Sequence, residues 1–253
     1  MHEPGTALAH ARALAAPAPL PRLESALTRL LAAAYRVLGR SRYDDFRLEQ
    51  VAGLTLLVLP SVFNPRLLRT GAYFAERLDA ALVPDGCEVL DMGTGSGVCA
   101  LMAARRARRV VAVDINPAAV RCARLNSLLN RLDARVEVRG GDLFTAVAGE
   151  RFDRVLFNPP FKPGAPRDDR DRAWRAGDVA ERFAAGLRAH LRPGGSALLL
   201  LSSYGDAAPF LLALEREGFA IGLEAGRRFI GERVAIFRAT PLGGAALAAE
   251  GSA

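Results

Sequence analysis

The stretch Asn158-Pro159-Pro160-Phe161 combines residue types that can hold a flat –NH2 group. The amide oxygen of Asn158 and the carbonyl oxygen of Pro159 can accept both hydrogens of one such group. Adjacent prolines hold a rigid, extended backbone without N–H groups of their own, and the Phe161 ring can stack on a planar carrier. We interpret these four residues as the catalytic residues of a site for a primary amide or an aromatic amine. A proline-punctuated turn is the alternative.

Alternating glycines at Gly93, Gly95 and Gly97 form a second candidate binding segment. They follow an apolar run and precede apolar residues at helical spacing, which predicts a strand, a tight loop and a helix. Glycine lets the loop turn sharply and allows a ligand to approach main-chain N–H groups. Asp114 lies 21 positions after Gly93 and ends a second apolar run, where the ribose-binding acid of a dinucleotide fold lies. The dinucleotide-binding fingerprint Gly-x-Gly-x-x-Gly/Ala requires Gly or Ala at its sixth position. This chain has Val98 there, so the fingerprint is not met.

Strands and helices that could position these residues alternate along the chain. The predicted strands are 87–91, 109–114, 135–139, 152–157 and 196–201, followed by an antiparallel pair at 219–224 and 233–238. The predicted helices start at 70 or 71, 98, 117, 178 and 206. Alternation of this kind is typical of a parallel sheet covered by helices. Asp142 also follows a strand end directly, at the rim where open α/β sheets bind ligands.

Together these segments resemble the class I S-adenosylmethionine-dependent methyltransferases, and within them the Asn-Pro-Pro-aromatic group that methylates planar nitrogens. The resemblance spans about residues 63–238. It implies an α/β protein with the Rossmann-like seven-stranded class I methyltransferase fold and a short helical amino-terminal extension. It also implies an N-methyltransferase whose cofactor is S-adenosyl-L-methionine.

The resemblance gives each motif a role. The segment 91–97 would hold the methionine part of the cofactor, Asp114 would bind the ribose hydroxyls, and Asp142 would lie at the adenine. The helix that begins near Thr70 would approach the glycine loop, although Thr70 could equally cap that helix. The residues expected to bind the cofactor are Thr70, Asp91, Gly93, Thr94, Gly95, Gly97, Asp114, Ile115, Asn116, Gly141, Asp142, Leu143 and Asn158.

The chain is expected to divide into four segments. Residues 1–21 are rich in Ala and Pro and predict a disordered leader, while residues 22–60 predict a helical cap and a β-hairpin. Residues 61–241 would form the methyltransferase domain, and residues 242–253 a disordered tail. The leader lacks the apolar core of a signal peptide, and no stretch is long and apolar enough to span a bilayer. We therefore expect a cytoplasmic protein without a membrane span.

Composition leaves the choice of partner open. The net charge of +7 is carried almost wholly by arginine, since Lys162 is the only lysine. Such charge suits nucleic acid binding but also an ordinary solvated surface. Cys87, Cys99 and Cys122 lie in apolar segments without metal-ligand spacing and are predicted to be reduced core residues. The three histidines are too dispersed for a metal site, and none is predicted.

Three classes of methyl acceptor remain open. The motifs at Asp114 (Asp-Ile-Asn-Pro), Gly141 (Gly-Asp-Leu-Phe) and Arg228 (Arg-Phe-x-Gly-Glu) resemble protein glutamine methyltransferases that modify release factors. They favour a glutamine side-chain amide in a protein partner such as a release factor. Phe161, where that group usually has Tyr, is shared with some RNA adenine-amine methyltransferases, so an adenine amine in RNA or DNA is the second candidate. A small-molecule amine is the third. The sequence does not decide whether loop 162–177 is a substrate lid.

Overall fold

The computed structural model describes residues 6–15, 45–67, 69–159 and 178–243. A hairpin of β1 (Arg47–Val51) and β2 (Leu54–Val58) precedes a seven-stranded sheet. The strands of the sheet are β3 (Glu88–Met92), β4 (Arg109–Asp114), β5 (Val136–Gly140), β6 (Phe152–Phe157), β7 (Leu191–Ser202), β8 (Phe219–Phe229) and β9 (Glu232–Pro241). Their order is β5-β4-β3-β6-β7-β9-β8. The strands from β5 to β7 run parallel, and β9 is antiparallel to both β7 and β8. The predicted seven-stranded, Rossmann-like fold is confirmed.

Six α-helices lie in the described parts of the chain. They are α1 (Thr6–Ala15), α2 (Thr70–Arg77), α3 (Val98–Ala103), α4 (Pro117–Leu129), α5 (Val179–Leu187) and α6 (Ala208–Arg216). Pro117 occupies the first position of α4, where its missing N–H would have had no helical partner. Among these helices none is long and apolar enough to cross a membrane.

Two apolar cores cover the two faces of the sheet. One joins α1, α5 and α6 to residues such as Leu90, Val111 and Leu199. The other joins the hairpin, α2, α3 and part of α4 to residues such as Val89 and Val110. Because side chains alternate across a strand, neighbouring residues such as Val89 and Leu90 serve opposite cores. Both faces of the parallel strands are therefore buried, as their continuous apolar runs predicted.

The register of the parallel strands brings the predicted site residues to one edge. Met92 pairs with Val113 on one side and with Phe157 on the other. Asp114 pairs with Gly140. The glycine loop, the turn after β4 and the Asn-Pro segment after β6 therefore leave the sheet at the same edge.

The predicted hairpin is confirmed. Ala52 and Gly53 have positive φ angles of 50° and 74°, the backbone that a two-residue hairpin turn requires. The Arg105 guanidinium donates hydrogen bonds of 3.0 Å to the carbonyls of both turn residues, which fixes the hairpin against the end of α3. The helical cap predicted in the first part of residues 22–60 and the tail from residue 244 lie outside the described residues.

The expectation of a disordered leader is wrong for residues 6–15, which form α1. Ala7, Ala11 and Leu14 are buried at helical spacing, and the Arg233 guanidinium donates a 2.6 Å hydrogen bond to the Leu14 carbonyl. The His10 ring lies 5.5 Å from the Phe237 ring. The alanine-rich composition was interpreted as low complexity, but alanine is also the best helix former. A narrow apolar stripe is enough to dock such a helix on the sheet.

If α1 is part of the core, Leu14→Ala should lower the free energy of unfolding by roughly 2 kcal/mol or more, as for other buried leucines. The matched control is Leu8→Ala on the same helix, because Leu8 is 38% exposed and Leu14 is 7% exposed. The control should change stability by less than about 0.5 kcal/mol. Urea unfolding of the three proteins measures both effects. Equal stability of the two variants would contradict the docking of α1.

Candidate active site

A cavity opens at the carboxyl ends of β3, β4 and β6. It is lined by most of the residues predicted to bind ligands. The predicted residues that line it are Asp91, Gly93, Thr94, Gly95, Asp114, Ile115, Asn116, Gly141, Asp142, Leu143, Asn158 and Pro159. The structure therefore brings the glycine loop, both strand-end acids and the start of the Asn-Pro segment into one site.

Thr70 and Gly97 do not line this cavity. Thr70 is buried behind its wall, and the neighbouring Gly71 lines it instead. Gly97 has a φ of 86°, and a Cβ there would lie 3.2 Å from the Cα of Ala123 on α4. The glycine at 97 therefore meets a packing requirement between the loop and α4, so its position does not support the predicted direct contact. Pro160 and Phe161 lie outside the described residues.

Asp114 holds the two loops that form the floor of the cavity. Its Oδ2 accepts the Gly95 N–H at 2.8 Å, and its Oδ1 accepts the Asn116 N–H at 2.9 Å. The Asn116 side chain accepts the Ala118 N–H at 2.9 Å and donates to the Ser61 carbonyl at 3.0 Å, which draws the loop before α2 to the cavity. Burial raises the pKa of Asp114, and its backbone N–H donors oppose that rise. Each carboxylate oxygen keeps acceptor capacity for a ligand.

Asp91 lies below the glycine loop and is 3% exposed. Its Oδ2 accepts the Thr94 hydroxyl at 2.6 Å and the Ala100 N–H at 3.0 Å, which ties the loop to the first turn of α3. Burial raises the pKa of Asp91 to about 7, and the negative charge of Asp114 contributes to the rise. Asp91 is therefore a carboxyl group that changes charge near neutral pH inside the cavity wall.

Asp142 forms an ion pair with Arg182 of α5. Arg182 also lies 3.6 Å from a carboxylate oxygen of Asp178, one helical turn earlier. All three residues line the cavity. Arg182 was missed in the sequence because its main partner is 40 residues away. Its spacing of four residues from Asp178 was the only local signal.

Asn158 directly follows β6, and its Oδ1 is a buried acceptor without a hydrogen-bond partner in the described part of the chain. The preceding Phe157 ring packs against Phe183 with ring centroids 4.6 Å apart. A Cβ on Gly93 would lie 3.5 Å from the Phe157 ring, so the glycine loop and the Asn-Pro segment are immediate neighbours. Because buried polar atoms are nearly always paired, the free Oδ1 indicates a place for a ligand N–H donor.

The arrangement suits a ligand with several hydrogen-bond donors and a flat apolar body. Four aspartate carboxyl groups and the amide oxygen of Asn158 provide acceptors. Apolar side chains that include Val62, Phe63 and Val98 form much of the remaining wall. No local pattern in residues 61–65 indicates that this segment closes a cavity, so Val62 and Phe63 were not among the predicted site residues.

The high pKa of Asp91 predicts that its contribution to stability falls as pH rises. The folded protein holds a proton on Asp91 up to about pH 7, whereas an unfolded Asp loses it near pH 4. The contribution of Asp91 to the free energy of unfolding is complete below about pH 4 and is lost as pH rises through 7. Asp91→Asn, which cannot ionise, should therefore gain stability relative to wild type between pH 5 and pH 8, in urea unfolding of the free protein.

The exposed Asp133 provides the control for this experiment. The variant Asp133→Asn should follow the wild-type dependence of stability on pH. If Asp91→Asn and wild type differ by a constant amount across this range, Asp91 does not titrate near neutral pH.

Comparison with known proteins adds to this geometry. The family described as Methyltransferase small domain matches residues 53–215. A release factor glutamine methyltransferase of Koribacter versatilis is 35% identical over 177 residues, which are 64% of this chain and 62% of that protein. The chain thus spans less than two thirds of that relative. A Methanocaldococcus jannaschii protein, provisionally named protein N5-glutamine methyltransferase, is 31% identical over 189 residues, or 70% of this chain and 90% of that protein.

A solved structure with the same fold is the 16S rRNA N2 G1207 methyltransferase of T. thermophilus, in complex with AdoMet and guanosine. The two structures superpose with a TM-score of 0.60 at 26% identity, and the superposition covers 78% of this chain and 50% of the T. thermophilus chain. Proteins named for a protein substrate and for an RNA substrate are therefore both similar to this chain.

Proposed function

The chain belongs to the methyltransferase small domain family, and we propose that it transfers the methyl group of S-adenosylmethionine to a planar –NH2 nitrogen, namely a glutamine side-chain amide of a protein. The observation that carries the proposal is the buried Oδ1 of Asn158 beside the glycine loop, which has no hydrogen-bond partner among the described residues. An acceptor in that position is suited to one hydrogen of an –NH2 group. The carbonyl of Pro159, which also lines the cavity, is suited to the other.

The residues present fit the cofactor. Asp114 has acceptor capacity left for the two ribose hydroxyls, and Asp142 has one carboxylate oxygen beyond the one that accepts from Arg182. Gly93 and Gly95 have φ angles of 64° and 56° and present backbone without side chains to the cavity. When bound, S-adenosylmethionine supplies an electrophilic methyl group on a positively charged sulfur.

Asn158 would orient the acceptor nitrogen for the reaction. Hydrogen bonds from both N–H groups of the acceptor would fix the direction of the nitrogen lone pair, so that it points at the methyl group that the cofactor would supply. The extra proton leaves the nitrogen after transfer, so no strong general base is required beside Asn158. Alignment of this kind can contribute roughly 7 to 11 kcal/mol in favourable systems.

The glutamine acceptor is supported by the names of the relatives. The Koribacter versatilis and Methanocaldococcus jannaschii proteins are both named for a glutamine acceptor. The present chain aligns with 90% of the length of the Methanocaldococcus jannaschii protein. The motif of Asn158 alone does not separate a glutamine amide from an aromatic amine, because both present a flat –NH2 group.

An amine of an RNA base is the second candidate, and a surface near the site favours it. The Arg227 guanidinium lies 5.1 Å from the Phe229 ring centroid and 5.9 Å from that of Tyr73, and Arg69 lies 5.6 Å from that of Phe229. We call Arg69, Tyr73, Arg227 and Phe229 the arginine rim. A stacked guanidinium keeps its N–H edge available for phosphate oxygens. The Arg227 guanidinium also lies 3.8 Å from a carboxylate oxygen of Glu76, an ion pair that a phosphate would have to replace.

The arginine rim lies at the edge of the sheet that carries the cavity. Ser202 pairs with Val234, and Val234 pairs with Arg227, so Arg227 is level with the end of β7. β7 itself is the neighbour of β6, which leads into Asn158. An RNA acceptor entering beside Asn158 would therefore meet the rim.

Asn158→Ala should separate methyl transfer from cofactor binding. We expect turnover to fall about 100-fold or more, because a preorganised polar group at the reacting atom is lost. The affinity for S-adenosylhomocysteine should change little, because we propose that Asn158 holds the acceptor and not, as the resemblance also implied, the cofactor. Asp114→Ala is the contrasting variant and should weaken that affinity, since the ribose hydroxyls lose their acceptor. Calorimetry and single-turnover methylation measure the two effects. Wild-type turnover in Asn158→Ala would refute the proposed role.

The acceptor is tested with labelled cofactor and either a Gly-Gly-Gln-bearing release factor or total RNA, each at two salt concentrations. We expect label in the release factor, with a shallow dependence on salt. Label only in RNA, lost at high salt as phosphate contacts are screened, would refute the glutamine proposal. In that case the double variant Arg69→Gln, Arg227→Gln should reduce labelling of the RNA. The control is Arg151→Gln, which should not reduce it, because Arg151 is exposed and lies before the first residue of β6, at the opposite end of the parallel strands.

A further inference from the structure

Asn126 of α4 lies where the hairpin, α4 and the glycine loop meet, and it is fully buried. We propose that Asn126 is a positioning residue that holds the glycine loop in its ligand-binding conformation and thereby sets the affinity for the cofactor. The part of this inference that concerns the cofactor rests on the proposed function. The part that concerns the loop rests on the structure of the free protein alone.

The amide of Asn126 uses all of its hydrogen-bonding groups. Its Oδ1 accepts the Leu57 N–H at 2.7 Å, and its Nδ2 donates to the Leu57 carbonyl at 3.0 Å and to the Ser96 carbonyl at 2.9 Å. One side chain therefore bonds both backbone groups of a residue in β2 and one carbonyl of the glycine loop. A primary amide has two N–H donors, so no other common side chain of this size can make the same set of bonds.

The bond to Ser96 fixes a peptide plane of the loop. The carbonyl of Ser96 and the N–H of Gly97 belong to the same planar peptide group, and the Gly97 N–H donates to the Thr94 carbonyl at 2.8 Å. That peptide is thus held at both ends. Ala123, one turn before Asn126 on α4, packs on Gly97 from the same side. α4 therefore supports the loop by one hydrogen bond and one close contact.

The other peptides of the loop are held by different groups. The Thr94 N–H donates to the Val113 carbonyl at 3.0 Å, and the Gly95 N–H donates to Asp114. Within the described residues, the Ser96 N–H has no hydrogen-bond partner, and Ser96 lines the cavity. Asn126 acts on the carbonyl of this same residue. Loss of the hydrogen bond from Asn126 to the Ser96 carbonyl would free the peptide that follows the Ser96 N–H, the group that remains available to a ligand.

Asn130, which caps the carboxyl end of α4 one turn after Asn126, provides a matched control. Its Oδ1 accepts the Thr55 N–H at 3.1 Å, and its Nδ2 donates to the Thr55 carbonyl at 2.8 Å. Asn126 and Asn130 thus pair with alternate residues of β2 in the way that a neighbouring strand would. They differ in that Asn130 bonds its helix at the Asn126 carbonyl, whereas Asn126 bonds the glycine loop. Both side chains attach the hairpin to α4, and of the two only Asn126 also bonds the glycine loop.

The test compares Asn126→Ala with Asn130→Ala in the full chain, below the unfolding temperature of both. Hydrogen exchange of the free protein is measured on peptides covering residues 93–97 and 54–58, and S-adenosylhomocysteine binding is measured by calorimetry. We expect both variants to exchange faster in 54–58, and only Asn126→Ala to exchange faster in 93–97. We expect affinity to fall at least 10-fold in Asn126→Ala and less than 3-fold in Asn130→Ala.

A second variant covers the case in which Asn126→Ala does not fold. Asn126→Asp has the same shape and keeps the acceptor for the Leu57 N–H, but an oxygen replaces the Nδ2 that donates to the Ser96 and Leu57 carbonyls. It should show the same faster exchange in 93–97 and the same loss of affinity. Unchanged exchange in 93–97 in a folded Asn126 variant overturns the inference. Faster exchange there, in a protein whose wild type does not bind S-adenosylhomocysteine, supports the positioning role and refutes the proposed function instead.

Discussion

The carboxylate of Asp114 is the group on which the geometry of the cavity depends. It ends β4 and accepts one N–H from the loop after β3 and one from the turn before α4. Hydrogen bonds to an ionised acceptor are stronger than neutral ones, and partial burial strengthens them further. Through Asn116 the same turn also holds the Ser61 carbonyl. Three separate chain segments therefore meet around one side chain, and the floor of the cavity exists before any ligand arrives.

The sheet and the placement of the main site residues could be predicted because their signals are local. Apolar runs that end in glycine, proline or aspartate define strands and their carboxyl ends, and parallel strands share that edge. Arg182 could not be found in this way, since its ion pair with Asp142 depends on how α5 packs. The docking of α1 was missed because the composition of a short alanine-rich segment does not show whether an apolar stripe meets a partner. Gly97 was assigned to ligand contact because the sequence cannot distinguish a glycine that faces a ligand from one that faces a helix.

The Asn158 acceptor, which has no partner among the described residues, follows a residue that is anchored by aromatic packing. The Phe157 ring lies against the rings of Phe183 and Phe210, with centroids 4.6 Å and 5.9 Å away. A side chain anchored in this manner has little freedom to turn Asn158 toward another partner. A buried acceptor without a donor costs roughly 1 to 3 kcal/mol. The fold bears this cost in the free protein, and a ligand N–H would remove it on binding.

The charge inside the cavity is opposite in sign to the net charge of the protein. Asp91, Asp114 and Asp142 line the cavity, and of these only Asp142 is paired with an arginine among the described residues. Burial raises the pKa of both Asp91 and Asp114, and among the described residues no cation opposes the rise. A ligand with positive charge would reverse this effect, because a nearby cation favours the ionised carboxylate. S-adenosylmethionine has such a charge on its sulfur, and methyl transfer removes it. If the cofactor binds here as we propose, these acids would attract its positively charged form more strongly than the neutral product.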